Sequence, residues 1–376
     1  MRLVRSVPAN WPRGAEPCNK DDARNEPPAF VCPQPRAMEK YATMRHGITI
    51  PLEAFQNEHF TELVRTAERA GYDDFWSFES YATDAFSPLA AAAMIAPRQR
   101  LGTAIVPAFT RPPALIAMSA ATVQQLSGGR FILGLGTSSP VIVQQWMGVP
   151  FEHPLTRVRE TVAAIRGAFT REKVTLKGKT VQVSGFRMAV TLDQPPPIYL
   201  GAQGEKMLRL VGEIADGLIT NFITPSALPA MIAHVREGQR AAGKDTRAPL
   251  DVVCRIFVAV DDDNDALRNE LRRHLTAYMT VPQYNNFFRE IGFEAEAATA
   301  AKAWNAGDRK AAVAAVPDRM LEEIYVFGSV DHCRARLAEF QKAGVTATAL
   351  EPESFAPDPK ERRTRILRAV ERLAGV

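Results

Sequence analysis

From His46 to the C-terminus, short apolar runs alternate with amphipathic or alanine-rich segments of helical period, and this alternation constrains the fold most. The runs are His46–Ile50, Asp74–Phe78, Leu101–Val106, Arg130–Gly136, Pro197–Gly201, Gly217–Thr220, Asp251–Val260 and Val345–Leu350. Each is short enough for a strand, and the segments between them carry helix signals. Gly71 follows Glu58–Ala70 as a C-cap, Ser87 and Pro88 open Ser87–Ala96, and Ser329 and Gly344 bracket the helix Ser329–Ala343. Pro113–Leu126, Thr156–Phe169, Glu205–Ile214, Ser226–Ala242 and Pro359–Leu373 read as the other helices. Strand-then-helix order implies a parallel sheet, and eight such units favour closure into an α/β (β/α)₈ TIM barrel with insertions. An open doubly wound sheet is the alternative.

Two stretches break the rhythm. KVTLKGKTVQV, residues 173–183, predicts a β-hairpin turning at Lys177-Gly178. Residues 261–317 predict a largely helical insertion, whose aromatic run NNFFREIGF serves either as a lid or dimer contact or as ordinary packing. Residues 45–376 are therefore expected to form one domain. Residues 1–44 stand apart: seven prolines in the first 40 residues and no periodicity predict a disordered extension, because such a segment buries too little apolar surface to offset its ordering entropy. A misassigned start, with Met38 or Met44 as the true first residue, is the other reading.

Composition excludes several classes. The 46 basic and 42 acidic residues nearly balance, which gives no reason to expect a nucleic-acid or anionic-membrane partner. Cys18, Cys32, Cys254 and Cys333 form no CxxC pair, and the six histidines do not cluster, so no metal site is expected. A Cys18–Cys32 disulfide is conceivable, but the sparse cysteine usage fits a reducing compartment. No apolar run is long enough for a membrane span and no secretory h-region opens the chain, so a cytoplasmic protein is expected.

In a barrel the chemistry sits at the C-terminal ends of the strands. Two glycine-bearing strand ends lie there, GRFILGLGTSSP (129–140) and PIYLGAQGEKM (197–207). Gly134 and Gly136 let the backbone run close to a neighbour, and the hydroxyls of Thr137, Ser138 and Ser139 suit an anion such as phosphate. A glycine-softened turn without a ligand is the alternative at equal weight. Neither stretch is a dinucleotide fingerprint or a P-loop. Glu79, after the apolar FWSF, is placed to act as acid or base, or else to pair with a buried arginine such as Arg111. Asp84 reads as a cap for the next helix.

The segments LSGGRFILGLGTS, a GVPF-like turn, RVRETVAAIR and MLRLVGEIADGLITN together resemble the luciferase-like monooxygenase family. They are most similar to the branch that uses the deazaflavin coenzyme F420 and includes methylenetetrahydromethanopterin reductase. The resemblance spans roughly residues 45–352. It implies a barrel enzyme moving a hydride between coenzyme F420 and a small organic substrate, with the ring at the mouth over strands two to four. It also implies a non-prolyl cis peptide at Ala104–Ile105 behind the ring, and cofactor phosphate near Thr137, Ser138, Gly201 and Ala202. Several relatives carry a histidine where this chain has Ser80, so Ser80 is counted with the cofactor-binding positions and Glu79 becomes the candidate catalytic group. A homodimer is expected. The competing readings are an FMN-dependent monooxygenase of the same family, a non-enzymatic flavin-binding barrel, and an aldolase- or isomerase-type barrel, which would need a lysine or metal cluster that the strand ends lack.

Overall fold

The strands begin where the chain can form a hydrogen-bonded ring. In a computed structural model, which describes residues 44–51, 56–261 and 264–375, β1 (Gly47–Thr49), β2 (Asp74–Ser77), β3 (Arg100–Thr103), β4 (Val106–Pro107) and β5 (Phe131–Gly136) follow in order. A hairpin of β6 (Val174–Lys177) and β7 (Gln182–Phe186) comes next, then β8 (Ile198–Gly201), β9 (Gly217–Asn221), β10 (Asp251–Val260), β11 (Val326–Gly328) and β12 (Ala347–Pro352). All pairings in the main sheet are parallel; β1 joins β2 on one side and β12 on the other, and β10 joins both β9 and β12. The sheet therefore closes into an eight-stranded barrel in which β3 and β4 share one position. The Pro-rich segment, including Met38, Cys18 and Cys32, lies outside the described residues, as does Leu52.

The intervening helices are α1 (Asn57–Ala70), α2 (Phe86–Ile95), α3 (Pro113–Leu126), α4 (Pro154–Phe169), α5 (Glu205–Ile214) and α6 (Leu228–Ala241). Helices α7 (Asp265–Met279), α8 (Pro282–Glu290), α9 (Glu294–Asn305), α10 (Arg309–Ala314) and α11 (Asp318–Ile324) fill the segment between β10 and β11. Helices α12 (Val330–Ala343) and α13 (Pro359–Arg372) complete the barrel's coat. Gly71 and Gly344 end α1 and α12 in the left-handed region, and the Ser329 hydroxyl accepts from the His332 N–H, as the sequence predicts. One cap differs. Helix α2 starts at Phe86, and Asp84 rather than Ser87 supplies the capping oxygen, accepting from the Phe86 and Ser87 N–H groups at 2.9 Å. The strand β11, beside the end of β10, carries no sequence signal of its own, being only VFG.

Alternation along the strands sorts side chains into an outer and an inner set. Phe75, Leu101, Phe131, Leu133, Ile198, Leu200, Leu218 and Ile256 face outward into the layer under the helices. Trp76, Ile132, Tyr199, Ile219, Val253, Ala347 and Ala349 fill the barrel's interior. Trp76 is fully buried, and it fits because Gly47 and Gly102 face it; a Cβ at Gly102 would lie 2.1 Å from the indole ring. Burying a large apolar side chain contributes roughly 1.5–3 kcal/mol, so this layer is a major source of stability.

The barrel floor is charged. Asp74 takes two hydrogen bonds of 2.7 Å from Arg100, and Asp251 takes two of 2.8 Å from Arg45. Tyr199 and Thr346 also donate to Asp251. Burial alone would raise the Asp251 carboxyl, but Arg45 and Arg100 hold it below the ordinary range. Two cations and two anions thus neutralise each other at the strand starts, away from the mouth. No helix among the described residues is long and apolar enough to cross a membrane.

Candidate active site

The mouth is built around a break between β3 and β4. The Ala104–Ile105 peptide is cis, as the family resemblance implies. The Ala104 N–H donates to the Ser77 carbonyl at 2.7 Å, and the Ile105 carbonyl accepts from the Glu79 N–H at 3.1 Å, which ties the break to the end of β2. The Ile105 side chain lies against Gly136 of β5 and Gly201 of β8: a Cβ at Gly136 would sit 2.9 Å from Ile105 Cγ1, and one at Gly201 would sit 3.1 Å from Cγ2. These glycines therefore make room for Ile105, a role the motif spacing does not reveal. Ala104 and Ile105 thus form the interior layer at the mouth beside β5 and β8.

Glu79 is engaged rather than free. Arg111 Nε lies 3.1 and 3.0 Å from its two carboxylate oxygens, Arg111 Nη2 lies 2.9 Å from one of them, and Thr110 Oγ1 donates at 3.3 Å. This is the arginine pairing weighed for Glu79 from the sequence. The guanidinium also lies 5.4 Å from the Phe86 ring centroid. Next to Glu79, the Ser80 hydroxyl oxygen is buried and has no hydrogen-bond partner among the described residues. Asp84 lies 3.9 Å from Arg111; burial raises its carboxyl, but the N–H groups it caps and Arg111 bring it below the ordinary value.

The two glycine-bearing turns are neighbours because β5 and β8 pair directly. Thr137 and Ser138 leave β5, with Ser138 in the left-handed region at φ 60°, and a six-residue π-helical turn follows at Val141–Trp146. The Ala202 N–H is used within the sheet, donating to the Ile219 carbonyl at 3.0 Å. Any anion at this strand end must therefore take its donors from the Ala202 surroundings: the first turn of α5, capped by Gly204, and the hydroxyls of Thr137 and Ser138.

The opposite half of the mouth differs in chemistry. Arg255 in β10 is 9% exposed and lies 2.7 Å from Glu351 in β12. Its guanidinium is 4.3 Å from the Phe78 ring centroid, across the barrel, and 5.1 Å from that of Phe257. Burial alone would lower the Arg255 pKa, but the carboxylates of Glu351 and Glu353 and nearby tyrosines raise it above the ordinary value, so it is a fixed cation. Above it, Phe222 leaves β9 at φ 54° and stacks on Phe257 at 4.8 Å, with Tyr278, Tyr284 and Phe288 of the helical segment around it. Phe287, Phe288 and Phe293 are buried, so the NNFFREIGF run packs this segment, while half-buried Tyr284 faces Phe222. His274 contacts Tyr325 at 2.8 Å, and burial followed by the charge of Arg255 lowers it to about 4, which keeps it neutral. Sequence reasoning missed Arg255 and Glu351 as a pair. The signal was present: DVVCRIFVAV carries one cation in an otherwise apolar strand interior, and that cation needs a buried counter-charge.

The fold is thus a closed parallel (β/α)₈ barrel with a non-prolyl cis peptide at its mouth. The luciferase-like monooxygenase family profile matches residues 38–347, and the chain belongs to that family of enzymes. Among its relatives is a putative coenzyme F420-dependent oxidoreductase of Mycobacterium tuberculosis, 32% identical over 309 residues, covering 77% of this chain and 89% of the relative. The 5,10-methylenetetrahydromethanopterin reductase of Methanolobus tindarius is 33% identical over 292 residues, covering 77% and 87%. The solved coenzyme F420-dependent tetrahydromethanopterin reductase of Methanopyrus kandleri superposes with a TM-score of 0.72 at 26% identity, covering 89% of this chain and 98% of that one.

Proposed function

We propose that this enzyme is a coenzyme F420-dependent oxidoreductase. The observation that carries the reading is the mouth face beside Ala104, where Ile105 packs against Gly136 and Gly201 and would back a planar ring. The relatives that use F420 support the choice of cofactor. When bound there, the deazaflavin supplies or accepts a hydride, and a small organic substrate is the other partner.

The residues present fit such a group. Ser80 offers a buried oxygen with no hydrogen-bond partner among the described residues, free to bond the ring. Thr137, Ser138, Gly201 and Ala202 border the strand ends where the phosphate would lie, beside the start of α5. Glu79 is the proposed catalytic carboxylate: held by Arg111, it fixes negative charge beside the reacting face and biases where the substrate proton goes. The protein acts as a homodimer in this reading. The supporting feature is the apolar surface of neighbouring helices α2 and α3, where Met94 is 72% exposed, Met118 44% and Leu115 40%. Sedimentation of the wild type against Met94→Lys tests that part; a monomeric wild type overturns it.

Titration of the purified protein with coenzyme F420 and, separately, with FMN tests the main reading. Saturable F420 binding that quenches protein fluorescence is expected. Tight FMN binding without F420 binding would establish the monooxygenase alternative.

A further inference from the structure

Half of the mouth remains unexplained by a ring seated over β3, β5 and β8. On the β10–β12 side, the inward positions carry Arg255, Phe257 and Glu351. A cation in a barrel interior costs several kcal/mol in desolvation unless it is paired, and an apolar residue would fill the same space at no such cost. The top layer therefore retains a charged pair where packing does not demand one. The pair is not isolated from the opening. The Tyr278 phenol is raised by burial, and it also feels the charges of Arg255 and Glu351 and the hydroxyls of Tyr284 and Tyr81. Tyr81 is 70% exposed on the loop after β2 and meets Trp146, from the loop after β5, edge to face at 6.2 Å. Half-buried Tyr278 and Tyr284 meet each other edge to face at 5.1 Å and pack around Phe222, which stacks on Phe257 beside the guanidinium.

We propose that the Arg255–Glu351 pair is the specificity element of the substrate pocket, and that it selects a neutral, largely apolar carbonyl compound. The inference rests on the reading of this mouth as the active site. Arg255 carries five N–H donors, of which Glu351 can occupy only part, so the guanidinium edge can donate to a carbonyl oxygen. Glu351 neutralises Arg255, and Glu353 adds a second carboxylate nearby. The surroundings therefore offer no net positive charge to a carboxylate or phosphate, while the aromatic walls favour an apolar body. Glu351 acts through Arg255 and is a positioning residue.

The test uses protein loaded with coenzyme F420 and two probes of matched shape, cyclohex-2-en-1-one and cyclohex-1-ene-1-carboxylate, followed by calorimetry. The wild type should bind the ketone in preference to the carboxylate. Glu351→Gln keeps the shape and removes one of the two carboxylates set against Arg255, which makes the local charge one unit more positive and should shift that preference toward the carboxylate by at least about tenfold. The paired variant Arg255→Met/Glu351→Leu removes both members of the ion pair together, so it should fold; it should lose ketone binding while still taking up F420. A wild type that prefers the carboxylate, or an unchanged preference in Glu351→Gln, overturns the proposal. Failure of the wild type to take up F420 at the loading step refutes the cofactor reading instead, and the same probes on the unloaded protein then decide the selectivity.

Discussion

The mouth glycines make a graded prediction, because the same substitution meets different obstacles at each. At Gly134 an added Cβ would lie 1.8 Å from the Thr103 carbonyl oxygen and 2.6 Å from Ile219 Cδ1. The first obstacle is backbone, in a segment pinned by two 2.8 Å bonds between Thr103 Oγ1 and the Gly134 N–H and carbonyl. No side-chain rotation relieves it, so β3 and β5 must separate, and Gly134→Ala should cost at least about 3 kcal/mol. At Gly136 the nearest atoms are Ile105 Cγ1 and Cδ1, at 2.9 and 3.0 Å, and at Gly201 the nearest is Ile105 Cγ2 at 3.1 Å. A shift of a few tenths of an ångström by one side chain suffices, so each alanine should cost about 1 kcal/mol. Both act on Ile105, so the double substitution should exceed the sum by about 0.5 kcal/mol or more, and Ile105→Ala should abolish that excess. Urea unfolding followed by circular dichroism reads the stabilities, and F420 titration of the folded variants reads the site. Affinity should fall in Gly136→Ala and Gly201→Ala, since the displaced Ile105 moves toward the ring's place. Equal stability losses at Gly134 and Gly136, or coupling that survives Ile105→Ala, would refute the packing argument.

Glu79→Gln should lower turnover at least about tenfold while leaving F420 affinity nearly unchanged, as expected for a group acting on proton transfer; steady-state kinetics beside a binding titration separates the two, and undiminished turnover sinks the role. Asp251→Asn removes the anion that holds Arg45 at the barrel floor and should cost about 3–5 kcal/mol in denaturant unfolding. Because the Asp251 carboxyl is lowered in the folded state, its contribution is complete above the unfolded value near 3.9 and disappears as pH falls through the folded one. The wild type should thus lose stability below about pH 4 more steeply than the asparagine variant does. Burial would raise the Glu160 carboxyl, but it accepts from the Thr180 hydroxyl and from the Thr180, Lys179 and Val181 N–H groups in the hairpin turn, the N–H bonds at 2.8, 2.7 and 2.8 Å, and together those bonds bring it down to about 2. Hydrogen exchange at those amides should stay slow at neutral pH, quicken only as pH falls through that value once intrinsic rates are divided out, and be fast at every pH in Glu160→Ala.

The barrel was legible because its signal is repeated. Most strands are short apolar runs, and helices such as α1 and α12 end on a glycine with a local reason, Gly71 and Gly344, so single errors do not change the topology. At the start of α2 the sequence offers both Asp84 and Ser87 as caps, and Asp84 takes the role because its carboxylate reaches both free N–H groups. What was not legible is pairing across the barrel. Arg45 and Asp251 are 206 residues apart, and nothing local at either position names the other. The glycines were legible as positions without a side chain, but their cause, the flank of Ile105 or the Thr103 carbonyl, exists only once the sheet has closed.

That difference also explains why one half of the site was foreseen and the other was not. The half formed by β3, β5 and β8 is made by what is missing, and missing side chains leave a sequence mark, as Gly136 and Gly201 do. The half formed by β10 and β12 is made by what is present, and a single arginine in a strand has several ordinary explanations. Only the closed ring sets Arg255 against Glu351 and near Phe78, which follows β2, a strand that does not pair with β10. A mouth divided in this way separates two tasks. In the proposed reading the face beside β5 and β8 backs the planar ring. The charged and aromatic face, carried partly by a helical segment outside the barrel repeat, is where this chain can differ from its relatives, so substitutions between β10 and β11 should change substrate preference without moving the ring.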